Sequence, residues 1–191
     1  MVKGALSRPH TIGVDDAPFD KRQPGPVPIV AVAMEGHDVI EAVALGEFPV
    51  DGEGAAEYLA TWIGGLRARP MLQAVILGGI TIAGLGVVDV TALSERLTLP
   101  VLVVTRHNPA ASDLADALRA AGLSRRLEIL ERIPRAYGIA TGLYLAHAGA
   151  PRVEAERLAL ATLGKARLPE PLRVAHIIGQ AIVLRESRGR V

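Results

Sequence analysis

The sequence predicts an α/β protein whose core is a mixed sheet of three antiparallel strands extended by two parallel ones, with helices on both faces. Three observations carry this. Strand-like runs come first in the chain, separated only by loops and a short turn. Helical and strand-like segments then alternate, and the later strands are continuous apolar runs, as strands buried on both faces are. The chain is also half apolar yet holds only two Phe and one Trp in 191 residues, so its core must be aliphatic. A single domain spanning 1–191 is long enough to bury such a core.

HTIGVDD is a β-branched run ending in acids, and the Pro- and Gly-rich PFDKRQPGPVP after it reads as a loop. IVAVAME and DVIEAVALGEFPV flank the turn residues Glu35, Gly36 and His37, which makes them a hairpin. In GEGAAEYLATWIGGLRA, Tyr58, Leu59, Trp62, Ile63 and Leu66 recur at helical spacing, with Asp51 as the expected cap and Glu53 in the first turn. QAVILGG is then a buried strand, VVDVTALSERL a short helix opened near Asp89, LPVLVVTRH a second buried strand, and ASDLADALRAAG a helix stopped at Gly122. SRRLEILERIP reads as helical, and YGIATGLYLAHAG as a last strand or an irregular segment. PRVEAERLALATLG carries Pro and Glu in its first turn, as helix starts do. PEPLRVAHIIGQAIVLRES closes the chain as a helix with Leu172, Ala175, Ile178 and Ile182 on one face. Antiparallel pairing followed by right-handed crossovers is the ribonuclease H-like arrangement.

Composition excludes several functions. Lys and Arg number 21 against 20 Asp and Glu, so no long-range field commits the chain to a polyanion or a membrane, although a local basic patch is compatible with this balance. The absence of Cys removes disulfides, thiolate metal sites and Cys nucleophiles, and leaves oxygen and imidazole as the only metal ligands. No apolar run approaches the roughly 20 residues of a membrane span, and the amino terminus has no long apolar stretch, so a cytoplasmic protein without membrane partners is expected. So aliphatic a composition leaves a homodimer open.

In the predicted sheet the first strand and QAVILGG are parallel neighbours, which sets Asp15 and Asp16 beside Gly78 and Gly79 at the strand ends where open α/β sheets gather ligands. Nucleases built this way converge several carboxylates on divalent metal, because a hard cation prefers oxygen and two ions can hold the attacking and leaving oxygens together.

GVDDAPF, FPVDGEGA, LGGITIAGLGVVD, LPVLVVTRHNP and above all LPEPLRVAHIIGQAIVLRESRGR resemble, in order and over nearly the whole chain, the endonuclease dU family, a distant relative of endonuclease V. The resemblance implies a metal-dependent endonuclease, using Mg²⁺ or Mn²⁺, that acts on DNA carrying a deaminated base such as deoxyuridine. It implies that Asp15 and Asp16 are the catalytic acid pair and the centre of the metal site, with Asp51 or Glu53 completing it. Arg173, His176 and Arg188 are the expected phosphate ligands, the first two sharing a helical face. The chain departs from the family pattern at three positions: Gly78, Gly54 and Gly86 stand where the pattern has Asp, Asp and Asn. At Gly78 the strand end that should carry an acid offers only backbone. Three acids could compensate: Asp16 turned inward, Glu53 from the neighbouring loop, or Asp89 from its helix start.

Plainer readings exist for the same residues. Asp15 and Asp16 could cap a loop, Asp51, Glu53 and Asp89 could serve helix starts, and His107 and Asn108 could belong to the turn before Pro109. Arg185, Arg188 and Arg190 could be a solvated terminus. His10, His37 and His147 carry no spacing signal. GLGVVD fails the dinucleotide-binding fingerprint because Asp stands where its third glycine belongs, and no Lys-Ser or Lys-Thr follows GITIAG to make a P-loop. The competing expectation to an active enzyme is a degenerate nuclease fold kept to bind DNA or another protein, and Gly78 supports it directly.

Overall fold

A computed structural model describes residues 8–23, 25–108 and 111–187. Seven strands form the main sheet in the order β3-β2-β1-β4-β7-β9-β8. Strands β1 (His10–Asp16) and β3 (Val39–Pro49) each pair antiparallel with β2 (Pro26–Glu35) between them, and β4 (Ala74–Leu77) and β7 (Val101–Thr105) extend the sheet in parallel with β1. The ambiguous YGIATGLYLAHAG resolves into a hairpin, β8 (Tyr137–Gly138) and β9 (Tyr144–Ala148), with β9 antiparallel to β7. The sheet therefore runs two strands further than the sequence pattern specifies.

Alternation along each strand sorts the side chains between two faces. Ile12, Val14, Ile29, Ala31, Val75, Leu77, Val101 and Val103 point to one face, where α1 (Ala55–Gly64) and α2 (Val90–Leu97) cover them. Ala74, Ile76, Leu102 and Val104, with Val30, Val32 and Met34, point to the other, covered by α5 (Arg152–Ala161) and α6 (Glu170–Leu184). Helices α3 (Ala111–Ala120) and α4 (Leu127–Arg132) lie between β7 and β8 in the chain. None of the helices among the described residues is long and apolar enough to cross a membrane.

Two features position the site. Helix α6 sits directly on β1, since a Cβ at Gly13 would collide with the Pro171–Leu172 backbone, so glycine there allows the approach. Its expected face is the one it uses: Leu172 and Ala175 are buried, and Ile178 and Ile182 pack against Val30, Val32 and Met34. The second feature is a small hairpin, β5 (Thr81–Ile82) and β6 (Gly86–Val87), absent from the sequence-based reading. It has its own side-chain braces, described below.

One expected role is corrected. Asp51 does not cap α1, whose N-cap is Gly54 in the left-handed region at φ 71° with no side-chain cap. Asp51 lies three residues too early and is itself left-handed at φ 50°, with its carboxylate turned towards the β5–β6 turn.

Candidate nuclease-type cleft

The carboxyl ends of β1, β4 and β7 open onto a cavity of about 360 Å³ lined by Asp15, Gly78, Arg106, His107, Leu172 and His176, among others. A smaller pocket lies on the far side of Gly78, against Asp16, Thr81 and Ile82. Register explains the first grouping. Val14 pairs with Leu77 and Leu77 with Val103, so one residue further Asp15, Gly78 and Val104 stand abreast on the α6 face.

Asp15 accepts a hydrogen bond from His176 Nδ1 at 2.9 Å, and Gln180 Nε2 donates to His176 Nε2 at 3.0 Å. Both bonds suit one neutral tautomer of the imidazole. Burial pushes the Asp15 carboxyl up to about 6; the His176 hydrogen bond opposes this, and the charge of Asp16 adds to it. Asp16, one residue on, points to the opposite face and accepts from the Ala83 amide at 3.0 Å. Burial raises its carboxyl too, against the pull of its own amide and that of Ala83.

The remaining acids are engaged elsewhere. Burial acts against ionisation of Asp51, but the Leu85 amide at 2.7 Å and the Lys21 ammonium at 3.0 Å outweigh it and hold its carboxyl below the usual range. The Asp51 amide donates to the Ala83 carbonyl at 2.9 Å. Buried Arg126 donates to the carbonyls of Leu85 and Asp51, both at 2.6 Å, so Asp16, Asp51 and Arg126 together brace the β5–β6 turn. Asp89 caps α2 by accepting from the Ala92 amide at 3.0 Å and pairs with Arg132 at 3.1 Å. Glu53 is exposed.

Of the expected phosphate ligands, His176 reaches the cavity, Arg173 lies beside it with its guanidinium on Glu170 at 2.7 Å, and Arg188 lies outside the described residues, as does Arg190. Two cavity residues carry little signal in the sequence: His107, which reads chiefly as a turn residue, and Arg106, to which the sequence pattern assigns no part in the cleft. Both follow β7 directly, and the alternation of LPVLVVTRH carries the signal that would place Arg106 on the Val104 face.

A hard divalent ion would need several oxygens converging from one side. Among the described residues no three His, Asp or Glu side chains converge on a point a metal could occupy. Among the described residues Asp15 is the one acid lining this cavity, and Gly78 leaves the neighbouring place open: a Cβ built there meets nothing within 4 Å. Gly86 differs, because a Cβ there would lie 2.6 Å from the Ile82 carbonyl and 3.0 Å from Phe48, so this backbone does not admit the Asn of the family pattern. As placed, the described residues do not form an Mg²⁺ or Mn²⁺ cage.

The family model described as Endonuclease dU matches residues 7–183. A UPF0215 protein of Methanothermobacter thermautotrophicus is 35% identical over 182 residues, 93% of this chain and 89% of that one. Another from Deinococcus radiodurans is 36% identical over 183 residues, 95% of this chain and 92% of the relative. The crystal structure of an Archaeoglobus fulgidus protein of unknown function superposes with a TM-score of 0.84 at 29% identity, covering 92% of this chain and 98% of that chain. Endonuclease V of Ciona intestinalis, solved with DNA containing an inosine, gives a TM-score of 0.55 at 12% identity over 87% of this chain and 82% of its own. That second likeness establishes the ribonuclease H-like fold and no more. With a family model matching almost end to end and relatives above 30% identity over more than nine-tenths of the sequence, this chain belongs to the Endonuclease dU family.

Proposed function

We propose that this protein holds DNA carrying a deaminated base such as deoxyuridine in the cleft at the ends of β1, β4 and β7, and cleaves it little or not at all. The observation that carries this reading is the open place at Gly78 beside Asp15, which none of the three compensating acids fills. Asp16 faces away on the Ala83 amide, Asp89 is spent on α2 and Arg132, and Glu53 stands exposed. Family membership supports the nuclease-type substrate, and the endonuclease V neighbour was solved bound to DNA.

The chain's own residues perform the binding half of such a reaction. The Asp15–His176–Gln180 chain fixes the orientation of one carboxylate and one imidazole at the cavity floor, while Leu168, Leu172 and Val104 supply an apolar wall for a sugar or base. A divalent ion held beside Asp15 would supply Lewis acidity to a phosphodiester. Here the second anionic ligand for it is missing.

The test is nicking of a labelled duplex holding a single deoxyuridine, with Mg²⁺ and with Mn²⁺, by the native protein, Asp15→Asn and Gly78→Asp. The expected result is binding without appreciable nicking by the native protein, and nicking by Gly78→Asp that disappears when Asp15→Asn is added. Metal-dependent nicking by the native protein, lost in Asp15→Asn, would instead establish an active enzyme with relocated ligands. No binding to lesion-bearing DNA by any variant would refute the substrate assignment.

A further inference from the structure

Resting on that reading of the cleft, we infer that Arg106 grips a backbone phosphate of the bound nucleic acid. Arg106 follows β7 and lines the same cavity as Asp15 and Gly78. In the alternation of β7 it falls on the face of Leu102 and Val104, one pleat beyond the row formed by Asp15, Gly78 and Val104, an offset of roughly 6–7 Å along the strand. It therefore projects from the rim of the cavity, in line with the floor.

Three neighbouring groups are already engaged. Arg173 is held by Glu170 at 2.7 Å, Lys21 by Asp51 at 3.0 Å, and His176 lies between Asp15 and Gln180. Arg106 is exposed and makes no ion pair among the described residues, with Asp15 or any other acid. Its backbone is nonetheless ordered by a local bond, Thr105 Oγ1 donating to the His107 carbonyl at 2.9 Å, which closes the turn on which the guanidinium is carried. A guanidinium offers a planar fork matched to a phosphate, and a rigid base lowers the entropy lost on binding. The ligand is a phosphate attached to something apolar, because Val104, Leu168 and Leu172 form the adjoining wall. A nucleic-acid backbone with its sugar meets both conditions.

Fluorescence anisotropy of a deoxyuridine-containing duplex, in EDTA across a salt series, tests this with the native protein, Arg106→Ala, Arg106→Lys and, as control, Arg119→Ala on α3, a residue that does not line the cavity. Arg106→Ala should flatten the slope of log affinity against log salt by about 0.9, the loss of one phosphate contact, and weaken binding roughly tenfold at low salt. Arg106→Lys should keep the native slope at reduced affinity, since it keeps the charge and loses the fork. Arg119→Ala should match the native protein, and all four should melt together. An unchanged slope in Arg106→Ala overturns the inference while leaving DNA binding intact. Absence of binding by the native protein refutes both this inference and the proposed function. A second probe, inorganic phosphate, separates the source: if it raises the melting temperature of the native protein and not of Arg106→Ala, while the DNA slope is the same in both, the site serves a free phosphorylated ligand and the backbone assignment fails.

Discussion

Asp15 is a carboxyl placed where burial resists its charge, and His176 offsets that cost only in part. Its folded value of about 6 lies above the ordinary 3.8, so the native state binds its proton more tightly than the unfolded chain does. The stability of the fold should therefore be highest below pH 4 as far as this group is concerned, and should decline as pH rises from about 4 to about 6; Asp16, also raised, adds in the same sense. Asp15→Asn removes the ionisation while keeping an acceptor for His176 Nδ1. It should stabilise the protein at pH 7 by roughly 2 kcal/mol and flatten the decline between pH 4 and 6, as read by chemical denaturation at several pH values. A destabilised variant at pH 7 would mean that the charged Asp15–His176 pair is worth more than its desolvation.

The elements, rather than any one residue, decide which of these groups meet. His176 reaches Asp15 across 161 positions of sequence only because α6 lies flat on β1, and it lies flat because Gly13 has no side chain. Gly13→Ala should cost about 2 kcal/mol or more by overpacking, measured by urea unfolding. It should also break the His176–Asp15 bond, visible by NMR as loss of the hydrogen-bonded Nδ1–H resonance. If stability fell while that resonance persisted, α6 would be held to the sheet by its flank on β2 instead. At the same scale, the β5–β6 hairpin explains where the Asp51 carboxylate is spent: the turn from Ala83 to Leu85 occupies it and the Asp51 amide together. Nothing in VDGEGAA announces this, because the partners come from Lys21, Leu85 and Arg126, far apart in the chain.

For the whole molecule, the balance of charges and the missing carboxylate predict a weak response to divalent cations. Mg²⁺ or Mn²⁺ at millimolar concentration should leave the melting temperature of the native protein unchanged and should raise that of Gly78→Asp, since an ion that prefers the native state stabilises by mass action. A rise in the native protein abolished by Asp15→Asn would show that one carboxylate and backbone oxygens suffice. The same experiment reads the fold as a whole: the open volume at Gly78 accepts a side chain, so the variant should fold as the native chain does.

Much of this is legible in the sequence itself. Period-two and period-3.6 apolar patterning specified strands β1 to β4 and β7 and the face of α6, because those elements bury aliphatic surface and little else constrains them. The two glycines after VIL, set beside GVDD by parallel pairing, marked the place where the cleft lacks an acid. What only the tertiary structure decided are the partnerships made across the fold. It sent Asp15 and Asp16 to opposite faces with different partners, gave Asp51 to the β5–β6 turn, tied Arg173 to Glu170 and left Arg106 open on the cavity rim. The physical reason is range: hydrophobic periodicity is written locally along the chain, whereas the partner of a polar group is whatever donor or acceptor the packed elements bring within about 3 Å of it.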